Sequence, residues 1–294
     1  MAGIFGTDGV RARINTGAMR AEAIVRLALA AGRWFVDQKQ DHKEKPLVVI
    51  AKDTRLSGYM IEAALVAGFS SIGMECKLLG PVPTSQVSIM TRRLSAHLGV
   101  MISASHNPYH DNGIKLFGPD GFKLDDAIEA EISALMQGSI ALGAAEEMGR
   151  VRRILDSADD YVDYAVKTIS DEKLLSEMKI VVDCAHGAAY RTAPMTLTAL
   201  GADVVPLFTD PDGLNINQDC GAVHPQKMAQ AVREHKADLG IELDGDADRL
   251  IVADETGVIH NGDNILGAIV ASMHKKGQLT GAVIGTLMTN LGLE

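Results

Sequence analysis

The feature that most constrains the fold of this chain is a regular alternation between short apolar runs and longer segments with helical periodicity. Buried strands are predicted at residues 47–51, 98–102, 114–117, 180–183, 204–208 and 239–243. Helical patterns separate most of them, for example at residues 21–37 and from Tyr59 to Ile72. Strands that alternate with helices form parallel or mixed sheets with right-handed crossovers. The predicted fold class is therefore α/β, with successive three-layer α/β/α domains on mixed sheets.

The length of the chain predicts more than one domain, because 294 residues exceed what one ordinary core contains. Residues 138–158 carry no strong core signal, so we predict domain 1 over residues 1–155 and domain 2 over 156–256. A hairpin near residues 250–259, a helix from Asn264 and a strand at 282–285 follow. Residues 257–294 are therefore predicted to start a truncated third α/β domain, since so few elements bury too little surface.

Charge and cysteine content exclude several classes of protein. The 28 basic and 38 acidic residues give a net charge of −10, which argues against a nucleic-acid partner. A phosphate site would therefore need a local concentration of Lys, Arg and backbone N–H groups. Three dispersed cysteines without CxxC spacing favour a reduced, cytoplasmic protein. Neither a signal peptide nor an apolar run of about 18 residues is present, so no membrane partner is predicted.

The strongest local motif is an acidic turn directly after an apolar strand. Asp244, Asp246 and Asp248 alternate with small residues, so their carboxylates can converge on one hard cation such as Mg²⁺ or Ca²⁺. An EF-hand is excluded because Arg249 occupies the sixth position, where that loop needs glycine, and the flanks are strands. Arg249 could orient a carboxylate or bind a phosphate. A solvated acidic turn stays open as the alternative.

A second motif, Ser103-Ala104-Ser105-His106-Asn107-Pro108, leaves the strand at residues 98–102. The carboxyl ends of strands are where open α/β sheets place ligands. Taken alone, the motif is more typical of a Ser/Asn-capped turn. Lys115 returns towards the same strand ends, where its ammonium could offset phosphate charge or transfer a proton.

Two further loops each place a cation beside small residues. Arg11 lies in FGTDGVR near the start of the chain, and Arg55 lies in KDTRLSG after the strand at residues 47–51. Taken alone, each loop is better interpreted as a surface turn with solvated charges.

Together these motifs closely resemble the α-D-phosphohexomutase superfamily. FGTDGVR, KDTRLSG, SASHNPYHDNGIK, NINQDCGAVHP and DGDADR occur in the order typical of that family. These loops and the final GTLMTNLGLE are similar to the bacterial phosphoglucosamine mutases within it. The resemblance extends over essentially the whole chain, and SASHNP combined with the spaced aspartates is its most specific part.

The resemblance implies an isomerase that acts through a phosphoserine. Ser105 would carry the phosphate, which would complete a Mg²⁺ site with Asp244, Asp246 and Asp248. Ser105 would give its phosphoryl group to glucosamine 6-phosphate and form glucosamine 1,6-bisphosphate. That intermediate would reorient and rephosphorylate Ser105, releasing glucosamine 1-phosphate for amino-sugar nucleotide and cell-wall precursor synthesis.

The resemblance also implies roles for side chains near these loops. Arg11 and Lys115 match family positions linked to phosphate binding and proton transfer. Substrate or phosphate contacts are further expected from four residues: His106, Asn107, Arg249 and Arg55. The expected partner is a small phosphosugar, with the 1,6-bisphosphate as activator, and a homodimer is a possible assembly.

The sequence departs from the family pattern in composition and length. Ala247, Ala12, Ala51 and His186 replace residues common in the family, and none of these changes removes a metal ligand. Family members continue for roughly half as much chain again, through a sugar-recognising loop and a phosphate-gripping domain, so negligible turnover is expected here. Two alternatives stay open: a phosphomannomutase or phosphoglucomutase of the same superfamily, and a non-catalytic Mg²⁺-dependent phosphosugar-binding module.

Overall fold

The computed structural model describes residues 4–38, 45–169, 173–286, 288–290 and 292. Its first sheet contains six strands in the spatial order β1-β5-β4-β2-β3-β6. Strands β2, β3, β4 and β6 are parallel, whereas β5 runs antiparallel to β1 and β4. The strands are β1 Val10–Arg13, β2 Leu47–Lys52, β3 Glu75–Pro81, β4 Leu98–Ile102, β5 Asp111–Phe117 and β6 Val151–Arg153.

Helices cover both faces of this sheet. They are α1 Ala21–Gln38, α2 Ser57–Ser71, α3 Thr84–Arg93 and α4 Asp126–Leu135. Along β2 the side chains alternate between two cores, as the period-2 geometry of a strand requires. Val48 and Ile50 pack with α1 and α2, whereas Val49 and Ala51 pack with Val87 of α3. The result is a three-layer α/β/α unit.

The second sheet contains five strands in the order β11-β10-β9-β7-β8. Its strands are β7 Lys179–Asp183, β8 Asp203–Leu207, β9 Leu239–Leu243, β10 Leu250–Asp254 and β11 Ile259–His260. The remaining helices are α5 Ser157–Lys167, α6 Thr192–Ala199, α7 Gln226–His235 and α8 Gly262–Lys275. Val181 of β7 packs against Met228 and Val232 of α7, which forms the core on one face.

This architecture confirms the predicted α/β class with mixed sheets. The predicted domain limits stay predictions, although β11 lies beyond residue 257 and hydrogen-bonds to β10 of the second sheet. The strand predicted at residues 282–285 is wrong: that backbone is irregular and has no neighbouring strand among the described residues. None of the helices in the described ranges is both long and apolar enough to cross a bilayer.

Candidate active site

The serine loop, residues 103–111, leaves the carboxyl end of β4, where an open α/β sheet places its ligands. Ser105 is fully buried, and its φ of 52° lies in the left-handed region that serine seldom adopts. Its backbone N–H donates to the Ser103 hydroxyl at 2.9 Å. The loop therefore holds Ser105 in an unusual, fully determined conformation.

The acidic loop, residues 244–249, leaves β9 of the second sheet and meets the serine loop directly. The Ser105 hydroxyl donates to Asp244 Oδ2 at 2.5 Å. The approach requires glycine at position 245, because a Cβ there would lie 2.6 Å from the Ser105 carbonyl oxygen. Ala247 adopts a φ of 55°, a conformation that glycine takes freely, and the loop still closes with alanine there. The two predicted motifs thus form one site.

The three aspartates converge as predicted. Ligand atoms of Asp244, Asp246 and Asp248 all lie within 4.8 Å of one another. Backbone N–H groups of Asp248 and Arg249 donate to Asp244 Oδ1 at 3.2 Å, so the loop curls around its first carboxylate. Asp246 Oδ1 is buried and has no hydrogen-bond partner in the part of the chain that the structure describes. A buried carboxylate oxygen with no donor, beside two further carboxylates, fits a hard cation with oxygen ligands.

Lys115 connects β5 of the first sheet to the acidic loop through its ammonium group. Its Nζ lies 2.8 Å from Asp246 Oδ2 and 2.9 Å from Asp248 Oδ2. The register of β4 and β5 pairs Lys115 with Met101, which places the lysine beside the end of β4. Thr84, at the start of α3, donates its hydroxyl to Asp246 Oδ2 at 2.7 Å. Asp246 is therefore held by groups from the first sheet and its helix.

The surroundings shift the pKa values of the ionisable groups of the site in different directions. Burial, reinforced by the Asp246 charge, raises the pKa of Asp244 to about 6, although the Ser105 hydrogen bond opposes this. Burial also acts to raise the pKa of Asp246, but the Lys115 ammonium outweighs it and holds that pKa below its usual value. Burial disfavours the charged form of Lys115, yet Asp246 and Asp248 raise its pKa overall. Lys115 is thus an ammonium at neutral pH, and Asp244 is the more basic carboxylate.

His106, Arg11 and Arg249 form the more accessible rim of the site. Burial, followed by the charges of Arg249 and Arg11, lowers the pKa of His106 and keeps its imidazole neutral at pH 7. Arg249 Nε lies 3.9 Å from Asp244 Oδ2 and 3.9 Å from Asp248 Oδ1. Arg11 pairs with Asp8 at 2.8 Å. The structure therefore brings these three predicted residues together, and Arg11 and Arg249 supply a local positive charge on an acidic chain.

Arg55 is not arranged as the phosphate-binding prediction requires. Its side chain is completely buried, and its guanidinium donates to Asp53 and to backbone carbonyls of the serine loop. Asn107 likewise directs its side-chain amide to Asp111 at 3.0 Å, which closes the serine loop on itself. Arg55 is therefore an interior contact of the loop in this structure, whereas Asn107 is half-buried and its substrate contact stays a prediction.

Sequence reasoning missed two residues of this site. Thr84 begins a helix that the apolar pattern did not predict, so its position beside Asp246 had no sequence signal. Asn217 donates its amide to the carbonyl oxygens of Ser105 at 2.9 Å and Asn107 at 3.1 Å. The family-like NINQDCGAVHP motif contained Asn217, and its polar, turn-forming composition was the available signal.

Comparison with known proteins places this site in a family. The profile of phosphoglucomutase/phosphomannomutase α/β/α domain I matches residues 2–141, and that of α/β/α domain II matches residues 159–257. These matches cover most of the chain and include both the serine loop and the acidic loop. The chain belongs to the phosphoglucomutase/phosphomannomutase family.

Individual relatives show which members of this family the chain is similar to. The chain is 54% identical over 293 residues to a phosphoglucosamine mutase of Caulobacter vibrioides (strain NA1000 / CB15N), covering 99% of this chain and 65% of that protein. A phosphoglucosamine mutase of Paracoccus denitrificans is 53% identical over 292 residues, with 99% and 65% covered. A solved phosphoglucomutase/phosphomannomutase family protein of Burkholderia thailandensis matches with TM-score 0.80 and 28% identity, over 93% of this chain and 59% of that one. The chain thus spans about 65% of the length of these curated relatives.

Proposed function

We propose that this chain is the phosphoserine- and metal-bearing part of a phosphoglucosamine mutase, which interconverts glucosamine 6-phosphate and glucosamine 1-phosphate. The observation that carries the proposal is the 2.5 Å contact between the Ser105 hydroxyl and Asp244 within a triad of carboxylates. The relatives named phosphoglucosamine mutase support the choice of sugar.

The proposed reaction consists of two phosphoryl transfers through Ser105. Phosphorylated Ser105 gives its phosphoryl group to a hydroxyl of the sugar phosphate: the bond from phosphorus to Ser105 Oγ breaks, and a bond to the sugar oxygen forms. The proton of the sugar hydroxyl passes to the leaving Ser105 Oγ, which becomes a hydroxyl, and the 1,6-bisphosphate then reorients. Its other phosphoryl group passes to Ser105 Oγ: the bond from phosphorus to the sugar oxygen breaks, and the serine proton ends on that oxygen as the product leaves.

The side chains at the rim supply charge rather than covalent chemistry. Phosphoryl transfer depends mainly on alignment and on neutralising the charge of the phosphoryl oxygens. The Lys115 ammonium lies 2.8 Å from Asp246, in the same acidic loop that the Ser105 hydroxyl contacts, and is proposed to serve this purpose. Arg11, His106 and Arg249 are proposed to bind the phosphates of the sugar, because they line the exposed side of the site.

A Mg²⁺ ion is the proposed cofactor, held by Asp244, Asp246 and Asp248 together with Ser105 or its phosphate. Oxygen-only ligands favour Mg²⁺ over Zn²⁺. When bound, Mg²⁺ would neutralise the transferring phosphoryl group. The buried Asp246 Oδ1, which has no hydrogen-bond partner among the described residues, supports this assignment.

Asp246→Asn is expected to weaken Mg²⁺ binding by roughly tenfold or more, because it removes a charged ligand from the centre of the triad. Isothermal titration calorimetry of the chain with MgCl₂ measures this directly. Asp120→Asn, an exposed aspartate in a turn of the first sheet, is the matched loss of one charge and should leave the affinity unchanged. Equal affinity in Asp246→Asn and the unchanged chain would mean that the acidic loop is only a turn.

Several finer assignments rest on the same proposal. Negligible steady-state turnover by residues 1–294, a cytoplasmic location and a possible homodimer stay predictions. The three cysteines are all free and buried, which agrees with a reduced compartment. Another sugar specificity within the family and a binding module without transfer stay as the alternatives.

A single-turnover assay separates these functions. The chain is phosphorylated with glucosamine 1,6-bisphosphate and Mg²⁺, then mixed with glucosamine 6-phosphate, glucose 6-phosphate or mannose 6-phosphate. We expect the fastest loss of the protein-bound phosphate with glucosamine 6-phosphate, together with formation of its bisphosphate. Faster transfer to mannose or glucose 6-phosphate would select the other mutases, and binding without transfer would select the non-catalytic module.

A further inference from the structure

We propose that Arg55 is the positioning residue of the phosphoryl-transfer site: it fixes the backbone of the serine loop and thereby aims the Ser105 hydroxyl at Asp244. This inference rests on the proposed function for its catalytic consequence. It replaces the prediction that Arg55 binds a phosphate.

The guanidinium of Arg55 uses each of its five N–H donors on the structure around Ser105. Nε donates to Asp53 Oδ2 at 2.8 Å. The other four bonds go to backbone carbonyls of the serine loop: Nη1 to Pro108 at 2.5 Å and Asp111 at 3.2 Å, and Nη2 to Ser105 at 3.0 Å and Asn107 at 2.8 Å. A side chain that is completely buried and fully paired has no donor left for a ligand.

Asp53 links the Arg55 guanidinium to the first sheet. Its backbone N–H donates to the Ile102 carbonyl at 3.0 Å, next to the end of β4. Asp53 Oδ2 also accepts a hydrogen bond from the Ser103 hydroxyl at 2.7 Å, and that hydroxyl accepts from the Ser105 N–H. The N–H and the carbonyl of Ser105 are therefore both held by the same buried ion pair, one through Ser103 and the other through Arg55.

This arrangement explains how Ser105 keeps a left-handed conformation. A non-glycine residue with φ of 52° persists only where its surroundings determine it. Asn217 lies in the segment between β8 and α7. It donates to the same carbonyls of Ser105 and Asn107 that Arg55 contacts. Arg55 also reaches across the loop to the carbonyls of Pro108 and Asp111, so it holds the serine loop at four carbonyls.

A buried ion pair adds little net stability, because desolvation offsets its attraction. The contribution of Arg55 is therefore geometric. Its planar guanidinium can hold carbonyls in several directions, whereas the lysine ammonium is a point charge with three donors. Because phosphoryl transfer depends on alignment, a displacement of about 1 Å can reduce its rate roughly a hundredfold. The effect should appear in the rate of transfer and not in substrate affinity.

The test is Arg55→Lys, measured as single-turnover phosphorylation of Ser105 by glucose 1,6-bisphosphate with Mg²⁺ and followed by intact mass. We expect the rate constant at saturating bisphosphate to fall roughly a hundredfold. The half-saturating concentration should change less than about threefold, because the rim arginines remain. A misfolded fraction would lower only the amplitude of the reaction, whereas misplacement lowers the rate constant itself.

Arg26→Lys is the matched control. Arg26 also donates to backbone carbonyls in the same sheet's unit, those of Met136 and Gly138, but it lies away from the serine loop. Its rate constant should match that of the unchanged chain. An unchanged rate constant in Arg55→Lys would overturn the proposal, as would a tenfold higher half-saturating concentration at full rate, which would make Arg55 a phosphate ligand.

Hydrogen exchange tests the loop without any chemistry. Arg55→Lys should raise amide exchange in residues 103–111 at least about tenfold, and Arg26→Lys should not.

If Arg55→Lys does not fold, a second variant tests the proposal. Ser103→Ala removes the hydroxyl that links the Ser105 N–H to Asp53, and it should slow transfer about tenfold. Unchanged exchange and rate in Ser103→Ala would then refute the positioning role. If the unchanged chain accepts no phosphoryl group, the proposed function fails, and the exchange result alone decides the role of Arg55.

Discussion

Ser105→Ala is expected to reduce phosphorylation of the chain by a sugar 1,6-bisphosphate by more than about a thousandfold, because it removes the attacking atom. The Ser105 Oγ is fully buried and lies 2.5 Å from Asp244 of the acidic loop. Ser103 is equally buried, but its hydroxyl donates to Asp53 and accepts from the Ser105 N–H. Only Ser105 faces the acidic loop.

Intact mass before and after incubation with the bisphosphate and Mg²⁺ measures the reaction, and a peptide map locates the modified residue. Ser103→Ala is the neighbouring control: it should still be modified at Ser105, although more slowly. Phosphate on Ser103 in the unchanged chain, or equal labelling of Ser105→Ala, would contradict the assignment. Mg²⁺ binding to Ser105→Ala should stay within about threefold of the unchanged chain, since all three carboxylates remain.

The sequence predicts the part of the site that depends on strand ends. Apolar runs identified β4 and β9, and the motifs that follow them are the serine loop and the acidic loop. The carboxyl ends of parallel strands are where such sheets bind ligands, which made both loops candidates. The assignment of Ser105 to one site with Asp244 came from the resemblance to the phosphohexomutases, because the serine motif alone is more typical of a capped turn. Three carboxylates at alternate positions of one turn could likewise be expected to converge, and they do.

The sequence could not predict contacts set by tertiary packing. Arg55 resembles a solvated loop cation because burial of a guanidinium depends on carbonyls of the serine loop, about 50 residues away in sequence. Helix α3 was missed because its buried face includes polar residues: Gln86 donates to the Ser157 carbonyl, and Thr91 to that of Val87. Strand β3 alternates charged and apolar residues near its start and gave no continuous apolar run. For Arg55 and Gln86, the missing information is a hydrogen-bond partner that lies far away in the sequence.

Lys115→Met is expected to change two properties of the site in opposite directions. Phosphoryl transfer should fall roughly a hundredfold or more, because the variant removes the cation held against the acidic loop that Ser105 contacts. Mg²⁺ binding should tighten by roughly threefold or more, because the Lys115 ammonium now lies 2.8 Å from Asp246 and 2.9 Å from Asp248 and competes for their charge. Methionine keeps the length and apolar stem of the side chain while removing its charge.

Calorimetry with MgCl₂ and single-turnover phosphorylation of Ser105 measure the two properties on the same preparation. Lys123→Met is the matched control, because Lys123 also pairs with two carboxylates, Asp126 and Glu129, but belongs to the surface near α4. It should leave both values unchanged. If Lys115 only braced the two loops, its loss would weaken Mg²⁺ binding and transfer together, since the acidic loop would no longer be held against β5. Tighter Mg²⁺ binding combined with slower transfer therefore distinguishes an electrostatic role in the reaction from a structural one.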